Sequence, residues 1–274
     1  MDRATLDIRS FALGWSILLG VWVILSYVTG VPEYLLASPG RVIAYMQVNW
    51  ETLTSALWLT GSQALAGWLA AVVLGLLCGA LIYQLPWAKR AALPVVIATQ
   101  TTPIIALAPL VTLWFGYGWL AKTVIACLVA IFPIIMATYS GLADTKQTYV
   151  YIFKLAGASE ASIFWNVRFK CAWSALIPAL KTSVVLAVIG SIVAEFMGGN
   201  RGLGFLVMVA TYGTKSDVLL TSVILSALLG QVFLLVLELV TKPFEKRFGQ
   251  TSSTATSSAP TPRASPSYAT PCAS

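Results

Sequence analysis

Residues able to do chemistry are scarce in this chain, and their scarcity narrows what it can be. Histidine is absent, and Cys78, Cys127, Cys171 and Cys272 show no Cys-x-x-Cys spacing. Zinc sites, imidazole bases and histidine-dependent triads are therefore not expected, and the first three cysteines read as small apolar residues in helices. Inside apolar runs the charges are Lys181, Glu195 and Glu238. An intramembrane charge can relay protons or ions, but each of these lies near the end of its run, where a side chain can snorkel or face protein. The string GYGWLAKT, Gly116 to Thr123, approaches a phosphate-binding loop. Ala121 stands where that loop needs glycine before the lysine, no strand precedes it, and it falls in a loop between apolar runs, so no nucleotide site is read here. With no paired intramembrane carboxylates and no activated nucleophile, the chain is not expected to be an enzyme.

The elements that must position these residues belong in lipid. Of 274 residues, 58% are hydrophobic and 10% charged, and the mean hydropathy is +0.83. A spanning helix takes roughly 20 apolar residues, so the chain has room for about six spans and no folded soluble domain. The fold class read from this is an all-α membrane protein, with a six-helix domain over 1–249. From Gln250 onward Ser, Thr, Pro and Ala dominate, which predicts a disordered cytoplasmic tail over 250–274.

The predicted first span is Phe11 to Thr29, retained and not cleaved as a signal. Val31 to Thr54 carries Pro32, Pro39 and Gly40 and is expected along the outer interface, anchored by Tyr34 and Trp50. Further spans are predicted at Ala56–Tyr83, Leu93–Phe115, Leu120–Met136, Leu176–Met197 and Val218–Val240, with a Gly-rich outer loop over Gly198–Gly213. Pro94, Pro103 and Pro109 place the third span in the bundle interior, because freed carbonyls are tolerable only against protein or water. An inside N-terminus leaves 13 of the 17 Lys and Arg on the inner side, with Arg41, Lys122, Arg201 and Lys215 outside. That asymmetry sets the orientation, with both termini cytoplasmic. Gly67, Ala71, Gly75 and Gly79 form a small-residue stripe where another helix can approach closely, within one subunit or between two.

The most polar internal stretch runs from Ala143 to Lys170. Thr145 to Ala156 can form a helix, Gly157 permits a sharp turn, and Ser159 can cap a second short helix with Glu160 in its first turn and Arg168 and Lys170 at its end. Phe164 and Trp165 offer apolar surface to a partner or to the membrane interface.

Here the sequence resembles the membrane subunits of bacterial ABC importers, whose cytoplasmic EAA loop has the form EAA, three residues, Gly, then a stretch ending in Ile and Leu-Pro. The matching core is Leu155, Ala156, Gly157, Ala158 and Ser159, followed by Ile163, Phe164, Val167, Arg168 and Phe169. Tyr151 stands where the usual Glu falls, and Lys170 where a proline is expected. Four more strings are similar to the branch that carries nitrate, sulfonates, taurine and pyrimidine or vitamin precursors: LLASPGRV (Leu35–Val42), IALAPLVTLWFGYG (Ile105–Gly118), FPIIMATYSGL (Phe132–Leu142) and AEFMGGNRGLGFL (Ala194–Leu206).

That resemblance implies a type I importer permease in the cell membrane, six spans with a cytoplasmic coupling-helix loop. It also implies a second permease copy, an external solute-binding protein, and a separate ATPase that binds ATP and Mg; no cofactor on this chain and no nucleic acid is expected. Leu155, Ala156, Gly157, Ala158, Ser159, Phe164, Trp165 and Arg168 are then the ATPase-coupling residues. Gln100, Thr101 and Thr102 at the Pro103 break, with Ser183 and Ser191, are candidates to line the translocation path, interhelical hydrogen bonding being their other use. The strings FGYGWLAK and IFPI, with no intramembrane Arg, favour a neutral ring such as riboflavin or a thiamine pyrimidine. A sulfonate, taurine or nitrate is the alternative, and an ion-coupled carrier would need midplane charges or paired broken helices.

Overall fold

In lipid every backbone N–H and C=O must be satisfied within the protein, and the chain meets this with helices. The computed structural model describes residues 16–27 apart from 18, 32–85, 87, 90, 91, 94, 97, 98, 102–145 and 147–248, with side chains to 243. Helix α1 (Pro39–Val48) starts on a proline, whose missing N–H costs nothing in a first turn. After α2 (Trp50–Gln84), α3 (Ile104–Phe115) and α4 (Trp119–Ala143) come the short α5 (Gln147–Leu155) and α6 (Glu160–Ile163). Helix α7 (Phe169–Gly198), α8 (Leu203–Tyr212) and α9 (Ser216–Phe248) complete the order.

Among the described residues four helical segments are long and apolar enough to cross a membrane: Trp50–Gln84, Trp119–Ala143, Glu160–Gly198 and Ser216–Pro243. They correspond to the second, fourth, fifth and sixth predicted spans. Half of the apolar window of Trp119–Ala143 and of Glu160–Gly198 is buried, against 11% for Ser216–Pro243, so the former two form the centre. Glycines set the approach. A Cβ on Gly67 would lie 2.6 Å from Ala126 Cβ, one on Gly75 2.8 Å from Ile134, and one on Gly79 2.6 Å from Thr138. The small-residue stripe is therefore a seam within the chain, and its rising register makes α2 and α4 parallel. Gly141 meets Ala172 and Gly190 meets Ala126, so α7 is antiparallel to both. Parallel spans need a return crossing between them, and α3 is the described part of that return. Of the predicted first span, residues 19–27 are helical and 1–15 lie outside the described residues, as does the predicted tail.

Three expectations are corrected. The segment Gly198–Gly213 is not a loop, because α8 occupies most of it and its Leu203, Gly204 and Ala210 are buried. The described end of the third span is not interior to the chain: α3 buries only Ala108, Val111 and Thr112 and exposes Leu113 and Trp114. Pro103 sits before the first turn, where no helical bond is lost, so Pro109 is the one proline inside α3. Lastly, the helix capped by Ser159 does not end at Arg168 and Lys170. A wide turn at Phe164–Arg168, in which Phe169 N–H bonds Phe164 O, carries it into α7. Glu160 to Gly198 is thus one 39-residue rod.

Candidate functional site

Two polar assemblies sit at opposite ends of this rod. At its Glu160 end is an elbow. Helix α5 stops as a Schellman motif: Ala158 N–H bonds Phe153 O at 3.0 Å, Gly157 N–H bonds Lys154 O at 3.0 Å, and Gly157 takes φ +75°. Only glycine adopts that conformation without strain. Ser159 Oγ then accepts from Ser162 N–H, as its sequence position predicts. Val150, Ile163 and Val167 form a small core inside the elbow, with Ala158 packed against it. Lys154 reaches Glu160 across the turn at 2.7 Å, and this hydrogen bond holds the Lys154 ammonium above its ordinary pKa. The pair is exposed, so it contributes little to stability.

The elbow's outer surface is apolar and open. Leu155 is 89% exposed and Trp165 61%. Rings meet along it, Phe164 edge-to-face with Trp165 at 5.6 Å and Trp165 tilted against Phe169 at 5.4 Å. Arg168 lies over the Tyr83 ring at 5.4 Å, which ties the elbow to the end of α2. A groove of about 650 Å³ runs between Tyr83, Glu160, Phe164, Trp165 and Arg168. All eight sequence-predicted coupling residues belong to this elbow.

At the rod's far end Glu195 is fully buried. Thr60 Oγ stands 2.9 Å from both carboxylate oxygens, and Gly204 N–H donates to Oε2 at 2.9 Å. Leu203 N–H donates to Thr60 Oγ at 3.0 Å. The carboxylate and the hydroxyl thus satisfy the first two N–H groups of α8, where an anion is also favoured by the helix dipole. Gly202, at φ +108°, lets the chain pass the carboxylate: a Cβ there would lie 2.2 Å from it. Sequence reading noticed Glu195 but not this use, since nothing in the local pattern pairs it with Thr60, 135 positions away.

The translocation candidates divide. Gln100 and Thr101 lie outside the described residues, and Thr102 is exposed with its hydroxyl donating to Ala98 O at 3.1 Å. Ser183 and Ser191 are fully buried. Trp68 Nε1 donates to Ser183 Oγ at 2.9 Å, and Ser191 Oγ lies 3.1 Å from Gln63 Oε1. Both serines therefore join α7 to α2 in this conformation. Lys122, read as part of a loop, stands in the first turn of α4 and is 3% exposed.

Among the described residues the architecture is a helical bundle in which an exposed elbow is continuous with a helix long and apolar enough to span a membrane, the build of a membrane protein. Residues 71–250 match the family described as the inner membrane component of binding-protein-dependent transport systems, and the chain belongs to that family. It is 34% identical over 193 residues to the formylaminopyrimidine transport permease protein ThiX of Halalkalibacterium halodurans, covering 69% of this chain and 75% of that one. To the riboflavin transport system permease protein RibX of Chloroflexus aurantiacus it is 30% identical, covering 71% and 73%. The taurine transport system permease protein TauC of Escherichia coli is 25% identical over 86% of each chain. In fold the chain is similar to an inward-facing MetNI methionine ABC transporter, with TM-score 0.63 at 20% identity, covering 71% of this chain and 97% of that one. The chain is an ABC importer permease for a small solute.

Proposed function

We propose that this permease carries a neutral aromatic ring, a pyrimidine vitamin precursor or a flavin, inward across the cell membrane. Identity to the formylaminopyrimidine permease, 34%, against 29% to an aliphatic sulfonates permease of Escherichia coli and 25% to the taurine permease, supports the substrate reading. Among the described residues the one buried cation is Lys122, beside Glu195 where α2, α4 and α7 meet, so no cluster of buried positive charge stands ready for an oxyanion.

In this reading a separate ATPase seats on the elbow, with Leu155 to Ser159, Phe164, Trp165 and Arg168 at the contact. Burial of exposed Leu155 and Trp165 supplies its apolar part. Closure of the ATPase pair pushes the elbow, and because the elbow is continuous with α7 the push travels the length of the rod. Two copies of the chain enclose the path, and a binding protein delivers solute from outside. The exposed face of α3, with Leu113 and Trp114, supports such a second copy.

Uptake of labelled formylaminopyrimidine, riboflavin and taurine into cells expressing the permease with its ATPase and binding protein, before and after ATP depletion, tests this. ATP-dependent uptake of a ring compound is expected. Uptake of taurine alone would assign an oxyanion, and uptake that outlasts ATP but collapses with the proton gradient would refute the reading.

A further inference from the structure

The first turn of α4 carries a cation that the polar junction beside it does not use. Lys122 is 3% exposed, yet among the described residues no hydrogen bond or ion pair holds its ammonium, which interacts with Glu195 only at longer range. A second donor waits beside it: Gln63 Oε1 accepts from Ser191, and its Nε2, wholly buried, has no acceptor. Register brings these groups to one level. Across α2 and α4, Trp119 Nε1 bonds Ser62 and Gly67 meets Thr123; across α4 and α7, Ala194 packs with Ala121 and Ile125. Gln63, Lys122 and Glu195 therefore share one three-helix junction.

A cation in a span, its side chain almost wholly covered and held by no hydrogen bond, calls for a function with a named partner. The carboxylate at hand is Glu195, and it is engaged by Thr60 and by the N–H groups that open α8. We propose that Glu195 exchanges partners during transport. With α8 docked, the carboxylate takes Thr60 and Gly204 N–H; with α8 lifted, it takes the Lys122 ammonium and the Gln63 amide. Each set satisfies the carboxylate, so its charge keeps partners in both positions of α8, and a push selects between them. The push arrives along the rod, which bears Glu195 near one end and the elbow at the other. This inference rests on the reading of the chain as the moving part of an importer.

The test compares Lys122→Met, Lys122→Arg, Glu195→Gln and the Lys122→Met/Glu195→Gln pair in the assembled importer, by initial uptake rate and by melting of each purified complex. Lys122→Met is expected to lower uptake roughly tenfold, a typical coupling between two states, while raising the melting temperature, because it deletes an unpaired charge from the docked state. Lys122→Arg keeps most of the uptake. The double variant loses no more than the worse single one, since both remove the same exchange. Wild-type uptake by Lys122→Met, losses that multiply in the pair, or a lowered melting temperature for Lys122→Met would each overturn the exchange. Should the wild-type complex take up no solute, the importer reading fails, and the sign of the melting shift still decides whether Lys122 is unpaired or structural.

Discussion

At the scale of single residues, one glycine and one threonine carry as much meaning as any charge. Gly202 combines φ +108° with a Cβ position 2.2 Å from the Glu195 carboxylate, so Gly202→Ala must both strain the backbone and displace the cap of α8. We expect a loss on the order of 1–3 kcal/mol, read as a lower melting temperature in detergent or nanodiscs. Gly230→Ala, where nothing lies within 4 Å, is the control and should be neutral or mildly stabilising. Thr60 serves the same cap: its hydroxyl accepts from Leu203 N–H and reaches both oxygens of Glu195. Thr60→Val keeps the shape and deletes the hydroxyl, leaving a buried donor and a buried carboxylate short of a partner. That costs about 1–3 kcal/mol by the same measurement.

Between elements, the elbow and the glycine seam respond differently to bulk. At Gly157 a Cβ would meet nothing within 4 Å, but φ +75° penalises any side chain, and a β-branched one most. Gly157→Val should insert normally, hydrolyse ATP with its partner and fail to transport, because the Schellman turn that aims α6 against α5 is lost. Uptake at the wild-type rate by this variant would sink the elbow as the coupling element. At Gly75 a Cβ would lie 2.8 Å from Ile134 of α4, so Gly75→Leu forces the two parallel spans apart. Overpacking of this kind costs about 1–3 kcal/mol and should show as reduced membrane yield instead of uncoupling.

Considered whole, the molecule is a rod with a polar assembly at each end, held in the centre of a bundle. The elbow of α5 and α6 meets the end of α2 through Arg168 and Tyr83. Opposite it, α1, α8 and α9 line an open cavity of about 870 Å³ that includes Tyr34, Arg41, Tyr45, Leu206, Lys215 and Asp217. The excess of Lys and Arg on the elbow side predicts that this side is cytoplasmic. Cysteine introduced at exposed Trp165 should react with an impermeant thiol reagent only in inside-out vesicles, and cysteine at exposed Tyr212 only in right-side-out ones. The reverse pattern would invert the topology.

The sequence by itself determined the solvent, the class and the elbow. Hydropathy over a run of some 20 residues is a property of composition, so four of the spans were legible, and a resemblance over several ordered strings was enough to point to the permease family. Gly157, Ser159 and Glu160 were legible because turn and cap chemistry acts over three or four residues. What only the tertiary structure decided depends on contacts between distant positions. Gly198–Gly213 reads as a loop because its glycines are common in turns, yet α8 forms there once Glu195 and Thr60, from two other helices, satisfy its first N–H groups. Lys122 reads as a loop charge because its neighbours Gly116 and Gly118 are turn residues, whereas packing of α4 against α2 and α7 buries it. Local pattern records what a segment can do alone; which donor meets which carboxylate is settled when the helices pack.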